Sequence, residues 1–269
     1  RPTSARPIAA ARRRSASAGN VPVIVDESAD LAAAAARIAR SKCFDNATSC
    51  SSENAVILLD DIYEPMMAAF ARQGGHRASA EEKAKVLQGL WVGGKLNRQV
   101  IARDMAVVAE KLDLTADARA AKFLLVEDDR PGRDRPLSDE KLSLVLTVYR
   151  ARDFDHAMRL VRDILAVKGK GHSCGIHTAD MDHARRLAEE TDVVRVLVNQ
   201  AHTFGNGGAF NNAMPFTLSM GGGTWAKNSI SENLNWRHFI NITHLVTTIP
   251  EDKPSEEALF GAYWAKYGK

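Results

Sequence analysis

A chain of 269 residues, 45% apolar and 26% charged, has the size and balance of one large globular domain or two modest ones. The formal charge of +3 comes from one end: Arg1, Arg6, Arg12, Arg13 and Arg14 are five of the 36 basic residues, and the other 31 face 33 acids, so the body offers no nucleic-acid surface. No apolar run reaches the roughly 20 residues of a membrane helix, and the arginine cluster lacks the apolar core of a secretory signal, so neither class fits.

Residues 1–18 are almost entirely Arg, Ala, Ser and Pro and read as an aberrant, disordered basic segment. Their bias is that of GC-rich DNA read out of frame, so a shifted or mis-started reading frame is expected there. From Val21 the pattern changes. Val21–Val25 reads as a buried strand, and Ser28 is expected to cap an Ala-rich helix from Ala29 to about Arg40. Ala55–Leu59 is a second strand, and Glu64–Gln73 a helix with Pro65 near its start and Gly74 beyond its end. Ser79-Ala80-Glu81-Glu82 forms a capping box opening another helix. Helix Asp104–Leu112 and strand Lys122–Val126 follow, then strand Leu144–Tyr149, helix Asp153–Ala166 and strand Gly175–Thr178. Met181–Glu190 is a helix and Val193–Val198 a strand. This alternation predicts an α/β layer fold with a largely parallel sheet. Residues 205–235, rich in Gly and Asn, read as a long functional loop. His238–Thr248 is predicted as an exposed strand and Ser255–Tyr267 as a terminal helix.

The three cysteines, Cys43, Cys50 and Cys174, have no CxxC spacing, which argues against a disulfide framework or zinc knuckle and for a reducing cytoplasm. His172 and His177 do not make a helix-face pair, and no metal is expected. Cys50 stands between a helix and a strand, in Ser41-Lys42-Cys43-Phe44-Asp45-Asn46-Ala47-Thr48-Ser49-Cys50-Ser51-Ser52-Glu53-Asn54. A thiol in such a polar run of small residues can meet substrate; equally, it can be a half-buried structural cysteine.

This stretch resembles the catalytic-cysteine motif of the CoA-acylating aldehyde dehydrogenases. Three later segments match in the same order: Glu140-Lys141-Leu142-Ser143, Gly171-His172-Ser173, and Gly221-Gly222-Gly223-Thr224-Trp225 with Asn228-Ser229 and His238-Phe239-Ile240-Asn241. Lys122–Glu127 and His172–His177 are most similar to the sulfoacetaldehyde branch, although acetaldehyde enzymes share much of both. Leu144, Gly222 and Ala226-Lys227 depart from the family pattern, where a proline, a frequent cysteine and a small pair stand.

The resemblance implies an aldehyde dehydrogenase-like three-layer catalytic domain with a parallel sheet, the cofactor domain being largely missing. Residues 19–40 would be a remnant of that cofactor domain, 41–204 the cysteine domain, and 205–269 a loop and carboxyl-terminal strand for oligomerisation. It implies Cys50 as nucleophile, His172 beside the thioester and Glu140 on the nicotinamide ribose, with NAD or NADP as cofactor and CoA as co-substrate. By themselves, His172 reads equally as a structural histidine and Glu140 as a solvated acid. Residues 1–25 hold no carboxylate to activate water, so the acyl acceptor is expected to be CoA. The partners are then a small-molecule aldehyde and CoA, within a homo-oligomer; alternatively His238–Thr248 closes the chain's own sheet. A non-catalytic remnant, unable to bind NAD alone, is the competing reading.

Overall fold

The computed structural model describes residues 19–269; the expectation for residues 1–18 lies outside them. The chain divides into two units, one ending at Phe239 and one of Ile240–Lys269.

The first unit runs β1 (Val21–Val25), α1 (Leu31–Cys43), β2 (Glu53–Leu59), α2 (Tyr63–Arg72), β3 (Gly75–Arg77) and α3 (Ala80–Gly89). It continues through a small hairpin, β4 (Trp91–Val92) and β5 (Lys95–Leu96), to α4 (Met105–Lys111), α5 (Ala116–Ala120), β6 (Phe123–Glu127) and β7 (Val145–Ala151). Then come α6 (Phe154–Val167), β8 (Cys174–His177), α7 (Met181–Glu190), β9 (Val196–Val198) and α8 (His202–Asn206). Seven strands form one sheet, ordered β3-β6-β7-β2-β1-β8-β9, and every pairing in it is parallel.

Local chemistry accounts for most boundaries. Ser79 Oγ accepts from the Glu82 amide while the Ser79 amide donates to Glu82 Oε2, closing the capping box. Asp153 and Asp180 cap α6 and α7 through the same kind of side-chain acceptor. Pro22 sits inside central strand β1 and donates no hydrogen bond, and the β1–β2 register shifts at Val21/Pro22. The fully apolar β1 and the run Ala55–Leu59 of β2 are buried, as parallel strands covered by helices require. Helix α6 lies against β1, β2 and β7, and α1 against α2 and β2.

Three expectations change. Ser28 does not cap α1; Asp30 does, accepting from the Ala33 amide, because Ser28 Oγ is taken by Asp26 and Thr178. Residues 19–40 are no separate remnant: β1 lies between β2 and β8 at the middle of the sheet, and 19–40, 41–204 and 205–239 fall in one unit. His238–Thr248 is not a strand. Trp236–Phe239 is a 3-10 turn and 240–250 carry no regular structure, since an extended segment becomes a strand only with a second backbone to complete its ladder. The second unit's one helix, α9 (Glu256–Tyr267), is capped by Ser255 and exposes Leu259, Phe260, Tyr263 and Tyr267.

Candidate active site

Five segments converge because five parallel strands begin at one edge. Gly19 precedes β1, Cys50 precedes β2, Glu140 precedes β7, His172 precedes β8 and Arg195 precedes β9. The sheet's amino edge therefore gathers residues up to 176 positions apart, since Gly19 and Arg195 open neighbouring parts of it.

Cys50 is delivered by an unusual turn. Asp45, Asn46 and Ala47 have φ of 48°, 50° and 60°, three left-handed residues in succession. Asn and Asp tolerate that region by local hydrogen bonding; alanine does not, so the turn stores strain. Thr48 Oγ1 donates to Asp45 Oδ2 at 2.6 Å and Asn46 Nδ2 to Asp104 Oδ1 at 3.0 Å, which hold it.

Cys50 Sγ lies 3.3 Å from His172 Nε2. His172 Nδ1 is 2.8 Å from Ser173 Oγ, and that hydroxyl is 2.9 Å from His202 Nε2. Glu53 Oε1 accepts from the His202 amide at 3.1 Å, and Lys42 Nζ donates to the Glu53 carbonyl at 3.0 Å. Asn206 Nδ2 donates to Ser51 Oγ at 2.8 Å, fixing the residue after Cys50. Arg195 donates to Asn233 Oδ1 and the Gly221 carbonyl, leaving one buried Nη2 without a partner. The Gly/Asn-rich loop thus anchors the arginine.

Burial sets the protonation states. It pushes the Cys50 thiol above its ordinary value; the Ser51 hydroxyl and Arg195 pull it down, and Glu140 adds to the rise. The polar, small-residue run around Cys50 predicts an exposed, partly ionised thiol; instead it is half-buried against His172. Burial lowers His172 to about 4 and His202 to about 3, with Arg195 contributing to both. Cys43 is also pushed up, and fully buried Cys174 reaches about 12. The arrangement is a thiol facing a neutral imidazole.

Glu140 lies on the other side of Gly19. A Cβ at Gly19 would overlap the Cys50 carbonyl and stand 2.5 Å from Glu140 Oε1. Burial raises the Glu140 carboxyl above its ordinary value, while Lys168 and the Gly19 amide lower it. Leu142, with φ 45°, and Asn54, which donates to the Asp139 carbonyl and accepts from the Lys141 amide, hold this segment against β2. Among the described residues no group of three or more His, Cys, Asp or Glu could hold a metal, and no helix is long and apolar enough to cross a membrane.

No family model matches the chain. It is similar to the "Sulfoacetaldehyde dehydrogenase (acylating)" of Cupriavidus necator, 47% identical over 94% of this chain and 51% of the relative. The protein of that name from Bilophila wadsworthia is 41% identical over 93% of this chain and 55% of its own length. The chain thus spans about half the length of the curated relatives it matches. Among solved structures, an acetylating aldehyde dehydrogenase from Geobacillus thermoglucosidasius superposes with a TM-score of 0.82 at 33% identity, over 89% of this chain and 53% of that one. Over nearly all of its length the chain is thus similar to about half of an acylating aldehyde dehydrogenase.

The fold brings Cys50 and His172 into contact and Glu140 to the same edge. Sequence reasoning passed over Glu53, Ser173, His202 and Arg195 as parts of the cluster. Two left a signal: Glu53 and Arg195 are charges beside or within apolar runs, Glu53 ahead of Ala55–Leu59 and Arg195 inside Val193–Val198. Ser173 and His202 carry none that separates them from structural residues.

Proposed function

We propose that this chain carries the acyl-transfer site of a CoA-acylating aldehyde dehydrogenase, with Cys50 as nucleophile and His172 as its base. The supporting observation is the 3.3 Å approach of Cys50 Sγ to His172 Nε2. A neutral imidazole at that distance accepts the thiol proton as sulfur bonds to the aldehyde carbon, so the carbonyl π pair becomes an alkoxide. Arg195, which has no carboxylate partner, offsets the negative charge developing beside it. A nicotinamide held at this edge would supply the hydride acceptor whose action leaves a thioester on Cys50. His172, having released the Cys50 proton to solvent, deprotonates the CoA thiol, whose sulfur attacks the thioester carbon and expels the Cys50 sulfur, and that sulfur takes the proton back from His172. Thioester exchange conserves the number of thioester bonds, which makes the sequence reversible.

The Glu140 carboxylate, beside Gly19 and Cys50, fits a pair of hydroxyl donors such as a ribose, and it is the residue here that would hold the nicotinamide nucleoside. The aldehyde proposed first is sulfoacetaldehyde, from the names of the two relatives above 40% identity. The setting proposed is a cytoplasmic homo-oligomer, supported by free cysteines and by the exposed Ile240, Ile242, Leu245, Val246 and Ile249 on unpaired backbone.

Acylation by an acyl-CoA, the reverse of the last step, needs no nicotinamide. Incubation with acetyl-CoA or sulfoacetyl-CoA followed by peptide mass mapping is expected to place the acyl group on Cys50 and on neither other cysteine, and Cys50→Ala to abolish it. An unlabelled Cys50, or equal labelling of Cys43, would overturn the assignment.

A further inference from the structure

The base role of His172 leaves one requirement open. A neutral imidazole carries one proton, and Nε2 can accept from the thiol only if that proton is on Nδ1. In water the two tautomers interconvert freely, so the protein must select one.

The contacts behind His172 make the selection. Nδ1 meets Ser173 Oγ at 2.8 Å, and the same oxygen meets His202 Nε2 at 2.9 Å. His172 is 4% exposed and Ser173 and His202 1% each, so water completes none of these bonds. The serine hydroxyl has one proton and stands between two ring nitrogens, so it donates to one and accepts from the other. Two directions satisfy the line. In one, Cys50 S–H donates to His172 Nε2, Nδ1–H to Ser173 Oγ, and Oγ–H to His202 Nε2. In the other every bond reverses, and His172 Nε2–H points at the Cys50 sulfur, which must accept it. A thiol facing that N–H would leave its own proton unpaired and offer only sulfur, a weak acceptor, whereas the first direction gives the thiol proton, Nδ1–H and Oγ–H an acceptor each. His202 then carries its proton on Nδ1. Gly175 leaves room there: a Cβ at that position would stand 3.0 Å from Nδ1.

The charged and titratable groups facing the line are few. Arg195 and Glu140 face Cys50, Arg195 faces His172, and His177, Arg195 and Glu53 surround His202. The cation Arg195 disfavours protonation of either imidazole, which keeps both neutral and the order of donors fixed.

We propose that Ser173 and His202 are positioning residues that lock His172 as its Nδ1–H tautomer, keeping Nε2 free to take the Cys50 proton. This rests on the reading of Cys50 as nucleophile, but its test does not need turnover. Nitrogen-15 spectra of the full chain report the tautomer directly, and the expected pattern is Nδ1–H for His172 and for His202. Iodoacetamide labelling of Cys50 as a function of pH reads the consequence. Ser173→Ala is expected to slow labelling near neutral pH by about tenfold, the direction seen when a triad histidine is left in the wrong tautomer. Ser173→Thr restores the hydroxyl and the rate. His202→Leu slows labelling like Ser173→Ala, whereas His202→Gln keeps an acceptor oxygen and a nearly normal rate. An Nε2–H signal for His172 in the unaltered chain overturns the proposal, even if the variants fail to fold. So do folded Ser173→Ala and His202→Leu chains with the unaltered rate and pH profile. Failure of acyl-CoA to label Cys50 would instead strike the functional reading and leave the tautomer result standing.

Discussion

The two edges of the parallel sheet treat buried charge in opposite ways. At the carboxyl ends, each acid has partners. Asp26, after β1, is fully buried and accepts from the Ser28 amide at 2.9 Å, Ser28 Oγ at 2.7 Å and His183 Nδ1 at 3.0 Å. Glu127, ending β6, is paired with Arg77, which holds its carboxyl below the ordinary range despite burial. Burial alone would raise Asp128, but hydrogen bonds from Arg135 and Lys83 hold it low. At the amino ends, burial wins. Glu53 rises to about 7, Lys42 falls to about 8, and His172 and His202 fall to about 4 and 3. Glu53 and Lys42 illustrate the difference: the ammonium bonds the glutamate's backbone carbonyl, not its carboxylate. One edge pairs its acids; the other keeps its histidines neutral beside the cation Arg195 and brings Glu53 and Lys42 to titrate near neutral pH.

The largest stability effect should lie on the carboxyl edge. Asp26→Ala leaves the His183 ring and two Ser28 donors without their fully buried acceptor, and a loss of about 1–3 kcal/mol is expected by denaturant unfolding. Cys50 labelling should be unchanged in the folded fraction. A large change in that rate would mean that the two edges are coupled and the contrast fails.

Next comes Glu53, through pH. Its folded carboxyl titrates at about 7 against 4.5 unfolded, so between those values the native state holds the extra proton. Stability due to this group is present below pH 4.5 and lost as pH rises through 7, by about 3 kcal/mol if the full difference is realised. The depressed histidines act with the opposite sign as pH falls below 6.5, but they are common to both proteins compared. The difference between unaltered chain and Glu53→Gln, followed by urea unfolding from pH 4.5 to 7.5, isolates the glutamate. A flat difference would show that Glu53 is charged and paired like the acids of the other edge.

Gly19→Ala tests the amino edge by shape. The added methyl meets the Cys50 backbone carbonyl and Glu140 Oε1, and the carbonyl cannot swing away as a long side chain could. Overpacking of this kind costs about 1–3 kcal/mol. The sharper readout is Cys50 labelling, which should change because the methyl moves the thiol's own backbone. An unaltered rate would mean that Gly19 and Cys50 are farther apart than described.

What was legible in the sequence divides along the distance of the partners. The capping box at Ser79 and Glu82 needs two residues three apart, and both bonds form. The strands of the parallel sheet follow from apolar runs that any such sheet would bury. Ser28 misled because its oxygen is claimed by Thr178, 150 positions away. Cys50 was located correctly between helix and strand, yet its ionisation was misjudged: the residue that covers it, His172, is 122 positions on. His202 joins the same cluster only because β9 and α8 return to the edge where β2 begins. Ile240 and Val246 carry a strand's alternation, but a strand is a property of two backbones, and one sequence specifies only half of it.

The smallest predicted effect completes the contrast. Tyr63, at the carboxyl end of β2, donates to Glu127 Oε2 at 2.8 Å while its ring is buried and stacked beneath Arg150, whose guanidinium lies 4.8 Å from the ring centroid. Tyr63→Phe keeps the ring, its packing and the cation above it, and removes only the hydroxyl. Glu127 retains Arg77 as a partner, so its carboxylate is not stranded. The loss is then a single hydrogen bond to a carboxylate, about 1 kcal/mol, with no change in Cys50 labelling. A loss as large as that of Asp26→Ala would show that Glu127 depends on the phenol more than on Arg77. No loss at all would mean that the arginine already satisfies the carboxylate, and the carboxyl edge would then hold its charge by ion pairing alone.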